Sequence, residues 1–144
     1  MTDSERYTSA MRKLTVTICL TVAVLIGGPA LAETVLYCQS ELAAGFVKQN
    51  GTYRESSFQQ NRYTIKFKNN YSLLLGLESD QFKCSAPYVI LPNMIVCRNA
   101  PYLTATFIYN KSSQRFTFSN LGIGGYVMNA TDTDVLFAGT CKRF

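Results

Sequence analysis

Polar and apolar side chains alternate strictly from Arg62 to Lys68, a stretch that reads Arg-Tyr-Thr-Ile-Lys-Phe-Lys. Tyr63, Ile65 and Phe67 share one face of an extended chain, and three basic side chains and a threonine share the other. A period of two residues is typical of a β-strand that buries one face and leaves the other in water. The stretch therefore predicts a half-buried strand with a basic outer face.

The apolar residues that come next predict the strand that pairs with this one. After two asparagines, apolar side chains occupy alternate positions from Tyr71 to Leu77. A turn at residues 68–70 sets Phe67 opposite Tyr71 and keeps both apolar faces on one side, because a slip of one residue would reverse every side chain. We therefore predict a hairpin with that register.

A second hairpin is predicted from the same alternation at residues 103–109. A turn at residues 110–113 sets Phe107 opposite Phe116, an aromatic cross-strand pair of the kind that stabilises sheets. The inward face of this hairpin adds aromatic side chains to the core.

The two ends of the domain are predicted to hold a short helix and a third hairpin. Ser40 can cap a helix at residues 41–48, although a helix of this length is marginal alone. The third hairpin runs from residues 126–128 to an alternating strand at residues 135–141.

Short strands separated by turn signals about every 8–12 residues are typical of a sandwich or a small barrel. The first strand is predicted at residues 34–38, where β-branched and aromatic residues are concentrated. We expect a mainly β fold: an antiparallel small barrel or sandwich with one short N-terminal helix, stapled by disulfides.

Residues 1–32 have the organisation of a secretory signal peptide. Two basic residues precede an apolar run at residues 14–26, and Ala30 and Ala32 supply the small residues of a cleavage site. The run has 13 residues, fewer than the roughly 20 that span a bilayer, which argues against the alternative of a retained membrane anchor. Translation from Met11 would give a more compact signal of the same kind.

Cleavage after Ala32 leaves residues 33–144 as a single antiparallel β domain. Counted over those residues, it carries 11 basic and 7 acidic side chains, a net charge of +4. We expect a periplasmic or secreted protein with no stable membrane insertion after signal cleavage.

The five cysteines divide into one in the signal peptide and four in the domain. An even number of cysteines in an exported chain is typical of disulfides, and four of them allow three pairings. We favour Cys84 with Cys97, which closes a short loop, and this leaves Cys38 with Cys141, which ties the first strand to the last. A zinc site is the weaker alternative, because the domain has no C-x-x-C spacing and no histidine.

The chain contains no histidine, which removes the commonest general base and the commonest neutral metal ligand. The carboxylates that are close in sequence are Glu78 with Asp80 and Asp132 with Asp134. Both pairs lie at predicted turns, where such side chains hydrogen-bond the backbone. We therefore predict that the protein is not an enzyme and has no catalytic residue, metal site or cofactor.

The candidate binding face is the basic outer face of the strand at residues 62–68, formed by Arg62, Lys66 and Lys68. A cationic face can bind an acidic macromolecule, and export argues against nucleic acid as the partner. From the sequence alone, the simpler interpretation carries more weight. It is a solvated outer face whose lysines also discourage pairing with the edges of other sheets.

Three stretches carry a resemblance to known proteins. They are Tyr-Cys-Gln-Ser-Glu-Leu-Ala at residues 37–43, Arg-Tyr-Thr-Ile-Lys-Phe at residues 62–67 and Ala-Gly-Thr-Cys-Lys-Arg-Phe at residues 138–144. They resemble small exported proteins of Gram-negative bacteria that have no assigned function. The resemblance covers nearly all of residues 33–144 and implies no mechanism.

Gly125-Tyr126 echoes a second group, the membrane-bound lysozyme inhibitors of the c-type class. Those proteins are small exported antiparallel barrels stapled by a disulfide, and their inhibitory stretches carry Ser-Gly-x-x-Tyr and a later Thr-Lys-Gly preceded by Tyr. Neither stretch occurs here. The similarity is architectural, and no inhibitory residue is carried over.

Two functions are therefore expected. The first is a non-catalytic exported β domain, inhibitor-like or adaptor-like, that binds a macromolecule of the envelope or the extracellular space. The alternative is a lipocalin-like carrier whose aromatic interior encloses a small apolar ligand. Inward tyrosines without partners would favour the carrier, since buried hydroxyl groups need hydrogen bonds.

Mass spectrometry of the exported protein tests the signal peptide and the disulfides together. We expect the mass of a chain that begins at Glu33, reduced by two hydrogens for each disulfide. A mass that retains residues 1–32 would contradict cleavage, and a fully reduced mass would contradict the disulfides.

Overall fold

The computed structural model describes most of the predicted domain, and the predicted signal peptide lies outside the described residues. The described residues are 33–77, 81–86, 89–99, 104–122 and 125–144.

Nine strands and one turn of 3-10 helix (Tyr126–Met128) form within these ranges. The strands are β1 (Thr34–Gln49), β2 (Thr52–Ser57), β3 (Arg62–Lys68), β4 (Leu73–Leu75), β5 (Phe82–Ser85), β6 (Met94–Asn99), β7 (Ala105–Asn110), β8 (Arg115–Leu121) and β9 (Asp134–Arg143).

Eight of the strands close into an antiparallel barrel. Each of β3 to β8 pairs with the next strand in the chain, and β9 returns to pair with β1, which also pairs with β3. The extra strand, β2, pairs with the second half of β1. The predicted mainly β fold is therefore confirmed as a closed barrel, and the strand predicted at residues 62–68 coincides with β3.

The predicted helix at residues 41–48 is wrong, because these residues continue β1. Residues 44–49 pair with β2, and residues 42–46 pair with β9 on the other side. A helix of two turns is marginal in water, whereas two ladders satisfy the backbone of the same residues on both sides. Tertiary pairing therefore overrides the local capping signal.

A β-bulge interrupts the long β1 strand next to Ser40. Ser40 lies opposite Gly139, but Leu42 lies opposite Ala138, so one extra residue is inserted in β1. Ser40 is fully buried, and its hydroxyl donates to the Asn61 carbonyl at 3.2 Å and accepts from the Asn61 N–H at 2.6 Å. The bulge reverses the faces of β1, so that Leu42 points to solvent.

The register predicted for the first hairpin is wrong. Phe67 lies opposite Leu74, not opposite Tyr71, and Leu74 is the buried residue of β4. Asn69, Asn70 and Tyr71 all adopt positive φ angles, of 50°, 53° and 65°. This longer turn reverses the face of β4, and the Tyr71 ring folds back to lie 4.8 Å from the Phe67 ring.

The second hairpin has the predicted faces with a shifted register. Phe107 lies opposite Phe118, and Tyr109 lies opposite Phe116. The turn shifts by one residue because the Asn110 side chain accepts backbone N–H groups of the turn and Gln114 takes the left-handed conformation, with φ 58°. The Phe107 and Phe116 rings still stack diagonally, 5.4 Å apart.

The third predicted hairpin is also wrong in its first half. Residues 126–128 form the 3-10 turn, and the partner of β9 is β8, with Leu121 opposite Asp134. The alternation predicted for the last strand is confirmed, since Phe137 and Cys141 are buried.

Aromatic rings from different strands meet in the interior of the barrel. The Tyr63 ring lies 5.9 Å from the Phe118 ring and 6.2 Å from the Phe137 ring, and the Phe67 ring lies 5.9 Å from the Tyr109 ring. Burial raises the pKa of the Tyr109 hydroxyl. The rest of the core includes Leu36, Ile65, Leu74, Leu77, Phe82, Ile95, Ala105, Phe107 and Phe116.

Both disulfides of the favoured pairing are present. Cys38 is bonded to Cys141, its cross-strand neighbour between β1 and β9, and Cys84 is bonded to Cys97 between β5 and β6. The first bond therefore lies across the junction that closes the barrel.

Removing the disulfide that closes the longer loop is expected to cost more stability, because the entropy of loop closure grows with the logarithm of loop length. The sequence separations are 103 and 13 residues. Chain entropy predicts losses of about 4.7 kcal/mol for Cys38→Ala with Cys141→Ala and about 3 kcal/mol for Cys84→Ala with Cys97→Ala. Urea unfolding of the two double variants measures both losses, and an equal or reversed order would contradict this account.

Candidate binding surface

Two rows of outward side chains cross β9, β1 and β3, and we call this surface the β9–β1–β3 face. The pairing register places Lys142, Tyr37 and Thr64 in one row and Thr140, Gln39 and Arg62 in the next. A shallow groove of about 520 Å³ runs along these residues. Neighbouring strands lie about 4.8 Å apart, so the six side chains form one continuous surface.

Tyr37 is the aromatic centre of the face. It is 47% exposed, and its ring lies 5.0 Å from the ring of Phe144, which follows β9. Cys38, the next residue in the sequence, is buried and bonded to Cys141. The disulfide therefore fixes the backbone from which Tyr37 projects.

The structure divides the predicted basic face into two parts. Arg62 lines the groove with Lys142, which the sequence analysis did not place on this face. Lys66 and Lys68 lie further along β3 and form ion pairs with Glu33, at 3.0 Å and 3.4 Å. Among the described residues, Arg62 and Lys142 form no ion pair, so their charges are available at the groove.

Lys142 could have been found from the predicted disulfide. If Cys38 lies opposite Cys141 in an antiparallel pair, Lys142 must lie opposite Tyr37. Both side chains then point outward, because the neighbouring cysteines point inward.

One carboxylate lies at the edge of the groove. The Glu41 side chain accepts a hydrogen bond from the Thr140 hydroxyl at 3.0 Å, and the Glu41 carbonyl accepts one from the Gln60 amide at 2.8 Å. Glu41 sits at the bulge of β1, so the same irregularity that reverses the strand also places this acid in the groove that Arg62 and Lys142 line. The charged side chains that line the groove are therefore two cations and one anion.

The two lysines hold the pKa of the Glu33 carboxyl below its ordinary value of 4.5, chiefly through hydrogen bonds from Lys66 and then from Lys68. Because the pKa in the folded state is lowered, the stabilisation from these contacts is present at neutral pH. It is lost as the pH falls through the lowered pKa. The pair is exposed, so its charges are screened by water and salt.

Of the carboxylates considered for catalysis, Asp134 makes a structural contact away from the face. The Asp134 side chain accepts the N–H of Tyr126 at 3.1 Å, which is a structural contact of the β8–β9 loop. Glu78 and Asp80 lie outside the described residues. Within the described part of the chain, no three Cys, Asp or Glu side chains are grouped so that they could hold a metal ion.

No protein-family model matches the sequence, and no curated protein or solved structure matches the chain. In the part of the chain that the structure describes, no helix has both the length and the apolar character needed to cross a membrane.

NMR titration of the Glu33 carboxyl tests the charge network at the end of β3. In the native protein we expect a pKa below 4.5. Replacing Lys66 and Lys68 by glutamine should raise that pKa, because the hydrogen bonds that favour the carboxylate are lost. Arg54→Gln, an exposed position on β2 at the other end of β1, is the matched control and should leave the pKa unchanged. An unchanged pKa in the double variant would contradict the network.

Proposed function

We propose that the protein is a non-catalytic exported binding domain, and that its β9–β1–β3 face binds an acidic macromolecule of the envelope or the extracellular space. The observation that carries the proposal is the exposed Tyr37 ring with Lys142 beside it and Arg62 in the next row. Inhibitor-like or adaptor-like action is its most concrete form.

These residue types suit a binding surface. Tyrosine and arginine are enriched among the residues that dominate binding energy, because they bring large contact area together with hydrogen-bonding capacity. Side chains on paired strands are already ordered, so less conformational entropy is lost when a partner binds. The Cys38–Cys141 disulfide beneath the face adds to this preorganisation.

An acidic partner is supported by charge. The domain carries a net charge of +4, and a cationic protein surface attracts acidic partners and speeds their association. The groove offers Arg62 and Lys142 against the single carboxylate of Glu41. We do not propose a nucleic acid as the partner, since an exported protein is separated from the nucleic acids inside the cell.

Export to the periplasm or beyond is part of the proposal. Two disulfides agree with an oxidising, non-cytoplasmic compartment.

The packing of the barrel interior favours a binding domain over the carrier alternative. Rings on β3 touch rings on β7, β8 and β9, and these aromatic side chains occupy the space between the walls of the barrel.

Native mass spectrometry of the exported protein, before and after denaturation, distinguishes the binding domain from the carrier. Extra mass that disappears on denaturation would contradict the packed domain and favour the carrier.

Site-specific photo-crosslinking tests the proposed face. A benzoylphenylalanine at Gln39, in the centre of the face, should crosslink a partner in cells that export the protein, whereas the same probe at Lys83 should not.

Reversing the two charges of the groove tests the proposed contacts. Arg62→Glu with Lys142→Glu should weaken binding of the purified partner at least about tenfold, because two attractive contacts become repulsive.

The matched control reverses two basic residues elsewhere. Lys83 and Arg98 face each other on β5 and β6 and are exposed. Lys83→Glu with Arg98→Glu makes the same change in net charge, so a comparable loss of binding would show general attraction and would overturn the assignment to this face.

A further inference from the structure

An exposed aliphatic loop projects from one end of the barrel. We call the end where β1 begins and β9 finishes the lower end. It also carries the β3–β4, β5–β6 and β7–β8 connections, since successive strands alternate in direction. In the β5–β6 connection, Val89 is 98% exposed and Ile90 is 85% exposed, and Leu91 follows them.

This loop is held in place at its base. The Cys84–Cys97 disulfide joins the strands on either side of it. The N–H of Met94 donates to the Leu91 carbonyl at 3.0 Å, and the N–H of Lys111 donates to the Asn93 carbonyl at 2.8 Å. The base is therefore tied to the β7–β8 turn, while the two aliphatic side chains at the tip have little protein around them.

Basic side chains surround the same end. The Lys111 ammonium lies 5.3 Å from the centre of the Tyr71 ring, and the Arg143 guanidinium donates to the Tyr71 hydroxyl at 3.1 Å. Lys68 and Arg115 lie at the ends of β3 and β8 that meet this end.

The acids are distributed in the opposite way. Among the described residues, Glu33 is the acid at the lower end. At the other end, Asp132 and Asp134 accompany a second exposed apolar turn, in which Val127 is 92% exposed. A cation, Lys48, also lies at that turn, where it donates to the Asn129 side chain, but Asp132 and Asp134 accompany it. The lower end is thus the one where exposed aliphatic side chains coincide with an excess of positive charge.

We propose that the lower end docks peripherally on an anionic lipid surface, with Val89 and Ile90 entering the interfacial layer and the basic side chains meeting the head groups. Aliphatic side chains that enter the interface together with attraction to anionic lipids are the two contributions that bind peripheral proteins to membranes.

This docking uses the loop tip and does not rest on the acidic partner proposed for the β9–β1–β3 face.

Vesicle binding tests the proposal with the exported protein. The probes are vesicles of equal parts phosphatidylcholine and phosphatidylglycerol, with vesicles of phosphatidylcholine alone as the uncharged comparison. We expect co-sedimentation with the anionic vesicles, weaker binding at high salt because the charges are screened, and weak or no binding to the uncharged vesicles.

Two matched double variants separate the ends of the barrel. Val89→Ser with Ile90→Ser should weaken binding to the anionic vesicles at least about tenfold, which corresponds to about 1.4 kcal/mol. Val127→Ser with Met128→Ser removes exposed apolar side chains from the opposite end and should leave binding unchanged. All four positions are exposed, so circular dichroism and urea unfolding should show intact folds.

Several results would overturn the proposal. They are absence of binding to the anionic vesicles, equal binding to the uncharged ones, and equal effects of the two double variants. Self-association that Val89→Ser with Ile90→Ser abolishes, without vesicle binding, would assign the loop to a second copy of the chain. Crosslinking from Gln39 is a separate measurement, so either proposal can fail while the other stands.

Discussion

The pairing of β1 with β9 is the interaction on which the rest of the structure depends. It closes the barrel and removes the two free edges that an open sheet of these strands would expose. The two backbones approach so closely that a Cβ at Gly139 would lie 2.0 Å from the Gln39 carbonyl oxygen, and one at Gly45 would lie 1.9 Å from the Asp134 carbonyl oxygen. Glycine at both positions therefore permits the closure, which the Cys38–Cys141 disulfide then locks.

The same junction builds the candidate binding surface. In an antiparallel pair the residues that flank a cross-strand disulfide face away from it, so fixing Cys38 against Cys141 fixes Tyr37 against Lys142. The bulge beside Ser40 then places Glu41 at the groove and turns the remainder of β1 over. A surface built in this way is as rigid as the closure beneath it, because no loop is needed to position its central residues.

Local pattern predicted the strands better than it predicted how they pair. Alternation placed β3 and the inward face of β7, since burial on one side leaves a period of two in the sequence. Registers failed where turns took left-handed residues that the pattern does not encode, such as Tyr71. The helix prediction failed because the residues after Ser40 pair with β2, the next strand, and with β9, which lies at the far end of the sequence and leaves no local signal. Of the two cations at the groove, Arg62 was predicted. Lys142 lies near the end of the chain and is brought to the same groove only when β9 pairs with β1 and closes the barrel.

Closure also relates the two proposed surfaces to each other. Lys142 belongs to the β9–β1–β3 face, and Arg143, the next residue, reaches the Tyr71 hydroxyl at the lower end. A barrel docked by the loop at Val89 would therefore hold the face to the side, close to the lipid and not turned toward it. Macromolecules at a membrane surface would then meet the face without a search through the whole compartment. Positive charge is in excess at the lower end, whereas Lys48 at the opposite end is accompanied by Asp132 and Asp134, so the distribution of charge along the barrel favours the orientation with the lower end on the anionic lipid.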